Sequence, residues 1–593
     1  MAAIPTPVSV TNSVGDINLP QIKRELLTSI NQSSQRSLQQ SVKWCAELCH
    51  SLAGVKPVEA PMQSDESEDF LLELDKYTLG KSYLDVKEYD RAAFFVKDCS
   101  SHKAYFIYVY AKYLAGEKQR YDELAGQMGP IEYKATKNET LKTLRIELGK
   151  KYNAGELDSF CLYLYGVVLK KLELKKEAMT ILAESIQRNP LYWGAWIELS
   201  SMVSSKEMLN SLTLPDHWMK EFFLSHTYLE LQLNEESLKR YRALSEAGFG
   251  QSTYIMSQIA VAHHNLRDFE SALKLFDNLQ KIDPYRLENM DTYSNLLYVR
   301  EMKAELAYLA HHVCEVDKYR VETCCVIGNY YSLRSQHEKA VLYFQRALKL
   351  NPHYLSAWTL MGHEFMEMKN SSAAIQAYRQ AIEVNPRDFR AWYGLGQTYE
   401  ILRMPFYCIY YYKQAQQLRP NDSRMLVALA ESYEALEKVE EAKKCYWKAY
   451  SVGDVEGTAV LRLAKLLKQK LEDEEKAAYF YNKFLEQAEA FGTVGSEEQC
   501  QAYVFLGRYY LKRRLFDEAS YYAQKCCEYN EVREDGKEIQ REIENQKKSG
   551  GIGGPSGGDN LNGSMVQTQN PALQEKQTPL GNRLSPMNLM FTP

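Results

Sequence analysis

Cysteine, histidine and acidic side chains are the residue types in this sequence that could bind a metal ion or carry out catalysis. Cys45 and Cys49 lie one helical turn apart with His50 beside them, which is part of a zinc-ligand set. No second cysteine pair follows at zinc-finger spacing, so we interpret them as buried helix residues. His363 and Glu364 begin the zinc-protease motif His-Glu-x-x-His, but no second histidine stands four residues after His363.

Two glycines in the stretch AWYGLGQTYE raise the question of a cofactor loop. Gly394 and Gly396 form a Gly-x-Gly pair, which is half of a dinucleotide-binding fingerprint. No predicted strand precedes the pair and no third glycine follows it. A glycine inside a helix costs roughly 1 kcal/mol relative to alanine, so a packing reason is needed. We expect that the helix approaches its neighbour very closely at Gly396.

Other catalytic signatures are missing from the sequence. There is no Gly-x-Ser-x-Gly, no Walker loop and no kinase motif. Acidic pairs such as Glu440 and Glu441 are typical of solvated helix faces. The sequence therefore predicts a protein that is not an enzyme and that needs no cofactor or metal.

Composition narrows the class of protein and of partner. The 593 residues are too many for one compact core, and the apolar and charged fractions of 45% and 25% are ordinary for a globular protein. A net charge of −5 gives no general attraction to nucleic acid. The start of the chain lacks the basic and apolar regions of a secretory signal, and no window has the apolar length of a membrane span. We expect an intracellular protein whose twelve cysteines are mostly reduced.

A period of 34 residues organises the middle of the chain. Four repeats begin at Val321, Leu355, Phe389 and Ser423. Small residues recur at positions 8, 20 and 27 of each repeat, an aromatic residue at position 24, and proline at position 32 of the first three. The members that we single out for packing are Gly328, Gly362 and Gly396 at position 8, with Ala374, Tyr378 and Ala381 at positions 20, 24 and 27.

This pattern is that of the tetratricopeptide repeat, a 34-residue helix-turn-helix. We expect the small residue at position 8 of helix A to face the small residue at position 20 of helix B. The aromatic side chains should fill the space between successive helix pairs, and proline should end helix B. The predicted fold class is therefore an all-α, superhelical tetratricopeptide-repeat solenoid with disordered termini.

Weaker copies of the repeat extend in both directions, to roughly twelve or thirteen helical pairs. The glycine-rich, polar end of the chain predicts disorder. We expect these segments: a disordered start at 1–20, a helical segment at 21–53, a linker at 54–70, an N-terminal superhelix at 71–290, a C-terminal superhelix at 291–535, and a disordered tail at 536–593.

The inner surface of such a superhelix is lined mainly by positions 2, 5, 9, 12 and 13 of helix A. In the four regular repeats these positions carry five glutamates and two arginines, interleaved with amides and an aromatic residue. Such a surface suits an extended peptide that bears arginine. The predicted peptide-binding groove residues are Asn329, Glu367, Tyr393, Gln397, Glu400 and Glu431. Position 5 holds no lysine, which argues against the carboxylate clamp of a chaperone adaptor.

Longer stretches carry a resemblance to one family. The segments LYLYGVVLKKLELKKEA, DPYRLENMDTYSNLLYVR and MPFYCIYYYKQAQQLRPNDSRMLVALAE strongly resemble the cell-division-cycle protein 23 family. That family is the eighth subunit of the anaphase-promoting complex, or cyclosome. The resemblance runs from about residue 20 to 535 and includes RLSPMNL near the C-terminus.

The resemblance implies a scaffold subunit of a ubiquitin ligase that controls mitotic progression, with catalysis in other subunits. It also implies a homodimer formed through the N-terminal repeats and other subunits of the complex as partners. The C-terminal groove would bind the arginine-containing C-box of Cdc20-type activators. The alternative is a peptide receptor or chaperone adaptor that works alone. An enzyme with a repeat domain is a third possibility, but no residues remain for its catalytic domain.

Four Ser/Thr-Pro pairs lie in the segments that we expect to be disordered. Proline-directed kinases active in mitosis could reach each of them without unfolding the protein. The predicted phosphorylation sites are Thr6, Thr578, Ser585 and Thr592.

Overall fold

The chain was analysed as a computed structural model. It describes residues 18–58, 68–125, 138–454, 457–470, 473–491 and 497–549. All regular elements within these ranges are helices. They form two compact units that divide between Pro352 and His353. The predicted all-α class is confirmed.

The described residues of the first unit form eighteen α-helices, and one further turn of π-helix, Ser245–Phe249, continues α12. The helices are α1 Leu19–Gln35, α2 Gln39–Ser51, α3 Glu68–Asp85, α4 Tyr89–Val96, α5 His102–Ala125, α6 Thr140–Asn153, α7 Ser159–Lys171, α8 Lys175–Arg188, α9 Trp193–Ser200, α10 Lys206–Ser211, α11 Met219–Glu230, α12 Asn234–Leu244, α13 Thr253–Asn265, α14 Phe269–Ile282, α15 Met290–Val299, α16 Lys303–Val316, α17 Val321–Leu333 and α18 His337–Leu350.

The second unit contains the remaining eleven helices of the described residues. They are α19 Leu355–Glu367, α20 Ser371–Val384, α21 Phe389–Ile401, α22 Pro405–Leu418, α23 Ser423–Ala435, α24 Val439–Gly453, α25 Thr458–Gln469, α26 Glu474–Phe491, α27 Glu497–Lys512, α28 Phe516–Glu528 and α29 Arg533–Ser549.

The register predicted from the period of 34 agrees with the helix bounds. Helices α17, α19, α21 and α23 begin at position 1 of their repeats, and their partners α18, α20, α22 and α24 begin at position 17. Each A helix packs on the B helix that follows it. The regular part of the chain is thus an array of tetratricopeptide repeats.

One turn geometry ends every A helix of the regular repeats. The residue at position 15 is left-handed, as in Lys369 with φ of 58° and Arg403 with φ of 55°. The next amide then donates to the carbonyl of position 11, from Asn370 to Phe365 at 2.8 Å. This 6→1 bond is the Schellman arrangement, which satisfies a carbonyl left open at the helix end and reverses the chain into helix B.

The glycines at position 8 make their closest contact with an aromatic ring. A Cβ atom added to Gly362 would lie 2.5 Å from Cε1 of Tyr378, and one added to Gly396 would collide with the ring of Tyr412. Gly328 meets Phe344 in the same way. These rings stand at position 24, so the contact that leaves no room for a Cβ atom at position 8 is made with position 24 of helix B.

Gly394, the other glycine of the stretch AWYGLGQTYE, has a related role. A Cβ atom added there would lie 2.5 Å from Cζ of Tyr378, the ring that belongs to the preceding repeat. One tyrosine ring is therefore held between Gly362 of its own repeat and Gly394 of the next. Ala374, Tyr378 and Ala381 are fully buried, as the repeat pattern predicts.

Some segment boundaries differ from those expected. Helix α1 begins at residue 19 and α3 at residue 68, slightly ahead of the predicted ends of the disordered start and of the linker. Residues 536–549, assigned to the disordered tail, belong to α29, which packs on α28 and α27. The compact units divide at residue 352, whereas we expected two superhelices to meet at residue 290. Residues 1–17 and 550–593 lie outside the described part of the chain.

Candidate peptide-binding surface

The predicted groove residues all lie on A helices. Asn329 is on α17 in the first unit, while Glu367, Tyr393, Gln397, Glu400 and Glu431 are on α19, α21 and α23 in the second. The five residues of the second unit are the candidate surface, together with Glu434 on α23.

Asn329 is engaged within its own unit. Its side chain is 2% exposed. The side-chain Nδ2 donates to Oγ of Ser294 at 2.8 Å and to Oδ1 of Asn295 at 2.6 Å, both on α15. These bonds link two neighbouring A helices. The burial of the Asn329 side chain argues against the prediction that this amide holds a peptide backbone. A ligand would first have to displace both of its hydrogen bonds.

Glu400 and Glu434 occupy equivalent positions in successive repeats and share one hydrogen bond pattern. Oε2 of Glu400 accepts from the hydroxyl of Tyr412 at 2.6 Å, and Oε2 of Glu434 accepts from Tyr446 at 3.1 Å. Each tyrosine side chain is fully buried, so the carboxylate provides its hydroxyl with a hydrogen bond partner. Among the described residues no hydrogen bond to Oε1 of either glutamate is seen.

Glu431 lies between these two carboxylates in sequence and is half-buried. Burial raises its pKa, and the nearby carboxylates of Glu400 and Glu434 raise it further. Arg462 on α25 opposes this shift, with its Nε 3.1 Å from Oε1 of Glu431. A second cation at this point would relieve the repulsion among three like charges.

The remaining predicted residues lie on α21 and α19. Tyr393 is half-buried, and its ring centroid lies 5.4 Å from that of Tyr412. Gln397 is half-buried one turn before Glu400, and Glu367 is exposed at the end of α19. The second unit thus brings an aromatic ring, an amide and carboxylates onto one row of A helices.

The arginines at position 2 are held by acidic residues of their own chain. Arg390 Nε lies 3.0 Å from Oδ1 of Asp388, and Arg424 Nε lies 3.6 Å from Oδ1 of Asp422. Each aspartate also accepts the backbone amide of the same arginine at the helix start. Their positive charge is therefore largely compensated, and the carboxylates dominate the field of this surface.

His363, which the sequence excluded as a metal ligand, is instead part of the core. Its Nδ1 lies 2.7 Å from the hydroxyl of Tyr378, the ring held between two glycines. Burial lowers the pKa of His363 to about 4, and Arg390 adds to the effect. The imidazole is neutral at pH 7. Within the described ranges, no group of three or more His, Cys, Asp or Glu side chains could hold a metal ion.

A second inner surface, in the first unit, was not foreseen from the sequence. The hairpin of α1 and α2 packs across the A helices of that unit. Trp44 of α2 stacks on Trp193 of α9 with ring centroids 4.4 Å apart, and edge contacts follow with Phe222 of α11 and Tyr254 of α13. The N-terminal helical segment thus binds to helices α9, α11 and α13 of its own chain.

Polar contacts fix the same hairpin along its length. Arg36 forms an ion pair of 3.2 Å with Asp158, the N-cap of α7. Glu25 accepts from Trp218 at 2.8 Å and lies 3.2 Å from His217, and the His217 hydrogen bond lowers the pKa of Glu25 to about 2. The sequence signal for this packing is the presence of a tryptophan and of charged side chains on an amphipathic N-terminal segment.

The predicted phosphorylation sites Thr6, Thr578, Ser585 and Thr592 lie outside the described residues. In the part of the chain that the structure describes, no helix combines the length and the apolar character needed to cross a membrane.

Comparisons with known proteins give consistent matches. The family model described as "Anaphase promoting complex subunit 8 / Cdc23" matches residues 21–260, and tetratricopeptide-repeat models match 321–354, 362–400 and 423–452. "Anaphase-promoting complex subunit 8" of Arabidopsis thaliana is 45% identical over 465 residues, which are 78% of this chain and 80% of that protein.

"Cell division cycle protein 23 homolog" of Homo sapiens is 58% identical over 317 residues, 52% of this chain and 53% of that protein. The chain spans about half the length of the mammalian relatives that it matches. A solved structure, the "APC/C hetero-tetramer Cut9-Hcn1", aligns with a TM-score of 0.49 at 14% identity, over 88% of this chain and 96% of that one.

Proposed function

Because the chain belongs to the family of anaphase-promoting complex subunit 8, also called Cdc23, we propose that it is a non-catalytic scaffold subunit of that ubiquitin ligase. Its partners would be other subunits of the complex, and its role would be in mitotic progression, in nucleus and cytoplasm. The repeat architecture supports this proposal, since such arrays act through extended surfaces rather than through enclosed active sites. Phosphorylation at Thr6, Thr578, Ser585 and Thr592 remains part of the same proposal.

The candidate surface of the second unit would bind the C-box of a Cdc20-type activator. The observation that carries this proposal is the cluster of Glu400, Glu431 and Glu434 on α21 and α23, in which burial raises the pKa of Glu431 and the two neighbouring carboxylates raise it further. A guanidinium group matches carboxylates through charge-assisted, paired hydrogen bonds. The Oε1 atoms of Glu400 and Glu434 would accept the arginine, and Glu431 would share its charge between that arginine and Arg462.

Other residues would fix the peptide around this arginine. Gln397 can bond to an extended backbone, and Tyr393 offers a ring on which an aliphatic or guanidinium group can pack. Glu367 would add negative charge at the α19 side. Asn329 would contribute indirectly, by holding α17 against α15.

The test measures the affinity of a C-box peptide by calorimetry. In the full chain, Glu400→Gln with Glu431→Gln removes two charges and keeps an acceptor for the Tyr412 hydroxyl. Truncating one partner of a buried charge pair costs about 2–5 kcal/mol, against about 0.2–1 kcal/mol for an exposed pair. The double variant should therefore bind the peptide more than about tenfold more weakly.

The matched control is Glu440→Gln with Glu441→Gln, two exposed glutamates of α24 in the same unit. This variant has the same change in net charge and should bind like the parent. Equal affinities for both double variants would move the binding site away from this cluster.

The homodimer implied by the family would use the first repeat. Its helices α3 and α4 and the turn between them expose large apolar side chains, with Leu72 at 86% and Phe94 at 75% on the helices and Val86 at 69% in the turn. Large exposed apolar side chains grouped in one repeat are typical of protein interfaces. The proposed dimer would bury it.

A further inference from the structure

We propose that the C-terminal end of the second unit carries a separate basic cleft that binds an acidic peptide segment of a partner protein. The cleft has a volume of about 530 Å³ and lies among α25, α26, α27 and α29. Its lining includes Lys468, Phe505, Arg508, Tyr509 and Lys512. This volume falls within the range of about 300–1,000 Å³ seen for ligand sites.

The charge of the A helices changes sign along the second unit. Position 9 of helix A, directly after the small residue of position 8, shows this change of charge in five successive repeats. In chain order these residues are His363, Gln397, Glu431, Lys465 and Arg508. The acidic cluster on α21 and α23 therefore gives way to cations on α25 and α27, and the two stretches suit ligands of opposite charge.

Lys468 is the cation that the protein itself leaves available. Its ammonium group lies 4.8 Å above the ring of Phe505, and among the described residues it forms no ion pair. Partial removal of the Lys468 ammonium group from solvent lowers its pKa, and the positive charge of Arg508 lowers it further. A carboxylate placed between Lys468 and Arg508 would remove this repulsion.

The other two cations form the walls of the cleft. Lys512 lies 2.9 Å from Oε1 of Glu474, and Arg508 lies 2.8 Å from Oδ1 of Asp535 and 3.2 Å from Oε2 of Glu538. These exposed pairs connect α27 to α26 and to α29 at the edges of the cleft.

Aromatic and aliphatic side chains form the floor. Phe505 and Val504 are half-buried, and the ring of Tyr509 stacks 6.2 Å from that of Phe505. The cleft thus fits an acidic side chain next to an apolar one. An acidic peptide suits the cleft better than a nucleic acid, because Lys468 is the one lining cation without an ion pair among the described residues and a peptide can place a single carboxylate beside it.

The experiment measures fluorescence anisotropy of a fluorescein-labelled peptide of glutamate and phenylalanine, titrated with the full chain. Lys468→Glu should weaken binding at least about tenfold, since it replaces the attractive charge with a repulsive one. Lys468 is exposed, so the variant should fold, which circular dichroism checks. The control Lys444→Glu makes the same charge change at an exposed site of α24 and should stay within about twofold of the parent.

Three further measurements complete the test. A peptide with glutamine in place of every glutamate should bind at least about tenfold more weakly than the acidic peptide. Raising the ionic strength from about 50 mM to about 300 mM should lower the affinity for the acidic peptide. The C-box peptide should bind Lys468→Glu no more weakly than the parent, which separates this cleft from the proposed activator surface. The proposal is overturned if the parent does not bind the acidic peptide, or if both lysine variants lose the same affinity. It is also overturned if a single-stranded oligonucleotide displaces the labelled peptide at a lower concentration than the unlabelled acidic peptide does.

Discussion

At the scale of single residues, three of the four regular repeats are built around a tyrosine ring at position 24, and the first is built around Phe344. Tyr378 packs against Gly362 and Gly394 and bonds to His363, while Tyr412 packs against Gly396 and bonds to Glu400. Each ring therefore ties together the inside of its repeat and, through its hydroxyl, one residue of helix A. The same tyrosine side chain therefore fills the core of the repeat and forms a hydrogen bond with a polar residue of helix A.

The first prediction at this scale is that Gly396→Leu destabilises the second unit. Its side chain would meet the ring of Tyr412, and overpacking of a close contact costs roughly 1–3 kcal/mol. Hydrogen exchange of α21 and α22 in the full chain should show the loss. Gly54→Leu is the control, because no atom lies within 4 Å of a Cβ built at Gly54. Unchanged protection of α21 and α22 would refute the packing account.

The second residue-scale prediction concerns pH. Folding lowers the pKa of His363 from 6.5 to about 4, so the unfolded chain binds a proton that the folded chain does not bind between these values. Stability is then complete above pH 6.5 and falls as the pH decreases, by on the order of 2 kcal/mol at about pH 5. Protection of α19 and α20 against hydrogen exchange, corrected for intrinsic rates, should follow this course.

His363→Gln provides the comparison for that experiment. Glutamine can still bond to the Tyr378 hydroxyl but does not titrate. The variant should therefore lose the part of the pH dependence that belongs to His363. If parent and variant respond to acid alike, other groups control the stability of these helices.

At the scale of helices, the hairpin of α1 and α2 is the element whose place depends on distant contacts. Trp44 joins it to α9, α11 and α13 through ring contacts. The hairpin covers the apolar inner surface that these A helices would otherwise expose. Inner surfaces in the two units therefore differ: the first is covered by its own chain, and the second carries the proposed sites.

We expect Trp44→Ala to release this hairpin. Loss of a buried tryptophan side chain costs about 3–5 kcal/mol, and the ring stack with Trp193 is lost with it. Limited proteolysis should then cut within residues 19–58 faster than in the parent. The variant Gln40→Ala, at an exposed position of α2, should be cut at the parental rate. Equal rates for both variants would show that Trp44 does not anchor the hairpin.

At the scale of the whole molecule, the function proposed is one of assembly. The exposed apolar side chains of α3 and α4 support dimerisation, and the acidic and basic stretches of the second unit support binding of peptides. Each of these surfaces lies on helices whose cores are complete without a partner. Variants at the surfaces should therefore change assembly without unfolding the chain.

Phe94→Glu should convert the proposed dimer into a monomer. A charge placed in the centre of an apolar interface loses hydration without gaining a partner. Light scattering coupled to size exclusion gives the mass directly. Ile146→Glu is the control, since Ile146 is also exposed, at 61%, but lies on α6. A dimer that persists in Phe94→Glu, or a monomeric parent, would contradict the proposed interface.

The proposed membership of a large complex predicts how the native protein migrates. In size exclusion of a cell extract, it should elute with other subunits of the anaphase-promoting complex. Migration solely as a free monomer or dimer would instead favour a peptide receptor that works alone. The same extract, taken from cells arrested in mitosis, allows phosphopeptide mapping of Thr578, Ser585 and Thr592.

The sequence alone determined the repeat and its register. Helix starts at Leu355 and Phe389 follow from the period of 34, because burial of one helix face repeats locally and a residue's place in its repeat decides whether it is covered. The acidic character of the second unit's A helices also followed from position numbers. The residues around Glu400 could therefore be proposed as a site from their repeat positions.

Only the tertiary structure decided which partner each side chain meets. Trp44 stacks on a residue far along the chain, Asn329 is buried against α15, and the ring over Gly396 is Tyr412 rather than Cys408. The position in the repeat gives the direction of a side chain. The residue that it contacts depends on helix tilt and on segments that are far apart in the sequence but close in space. Those are set by the packing of the whole unit, because the free energy of each contact depends on what else can fill the same space.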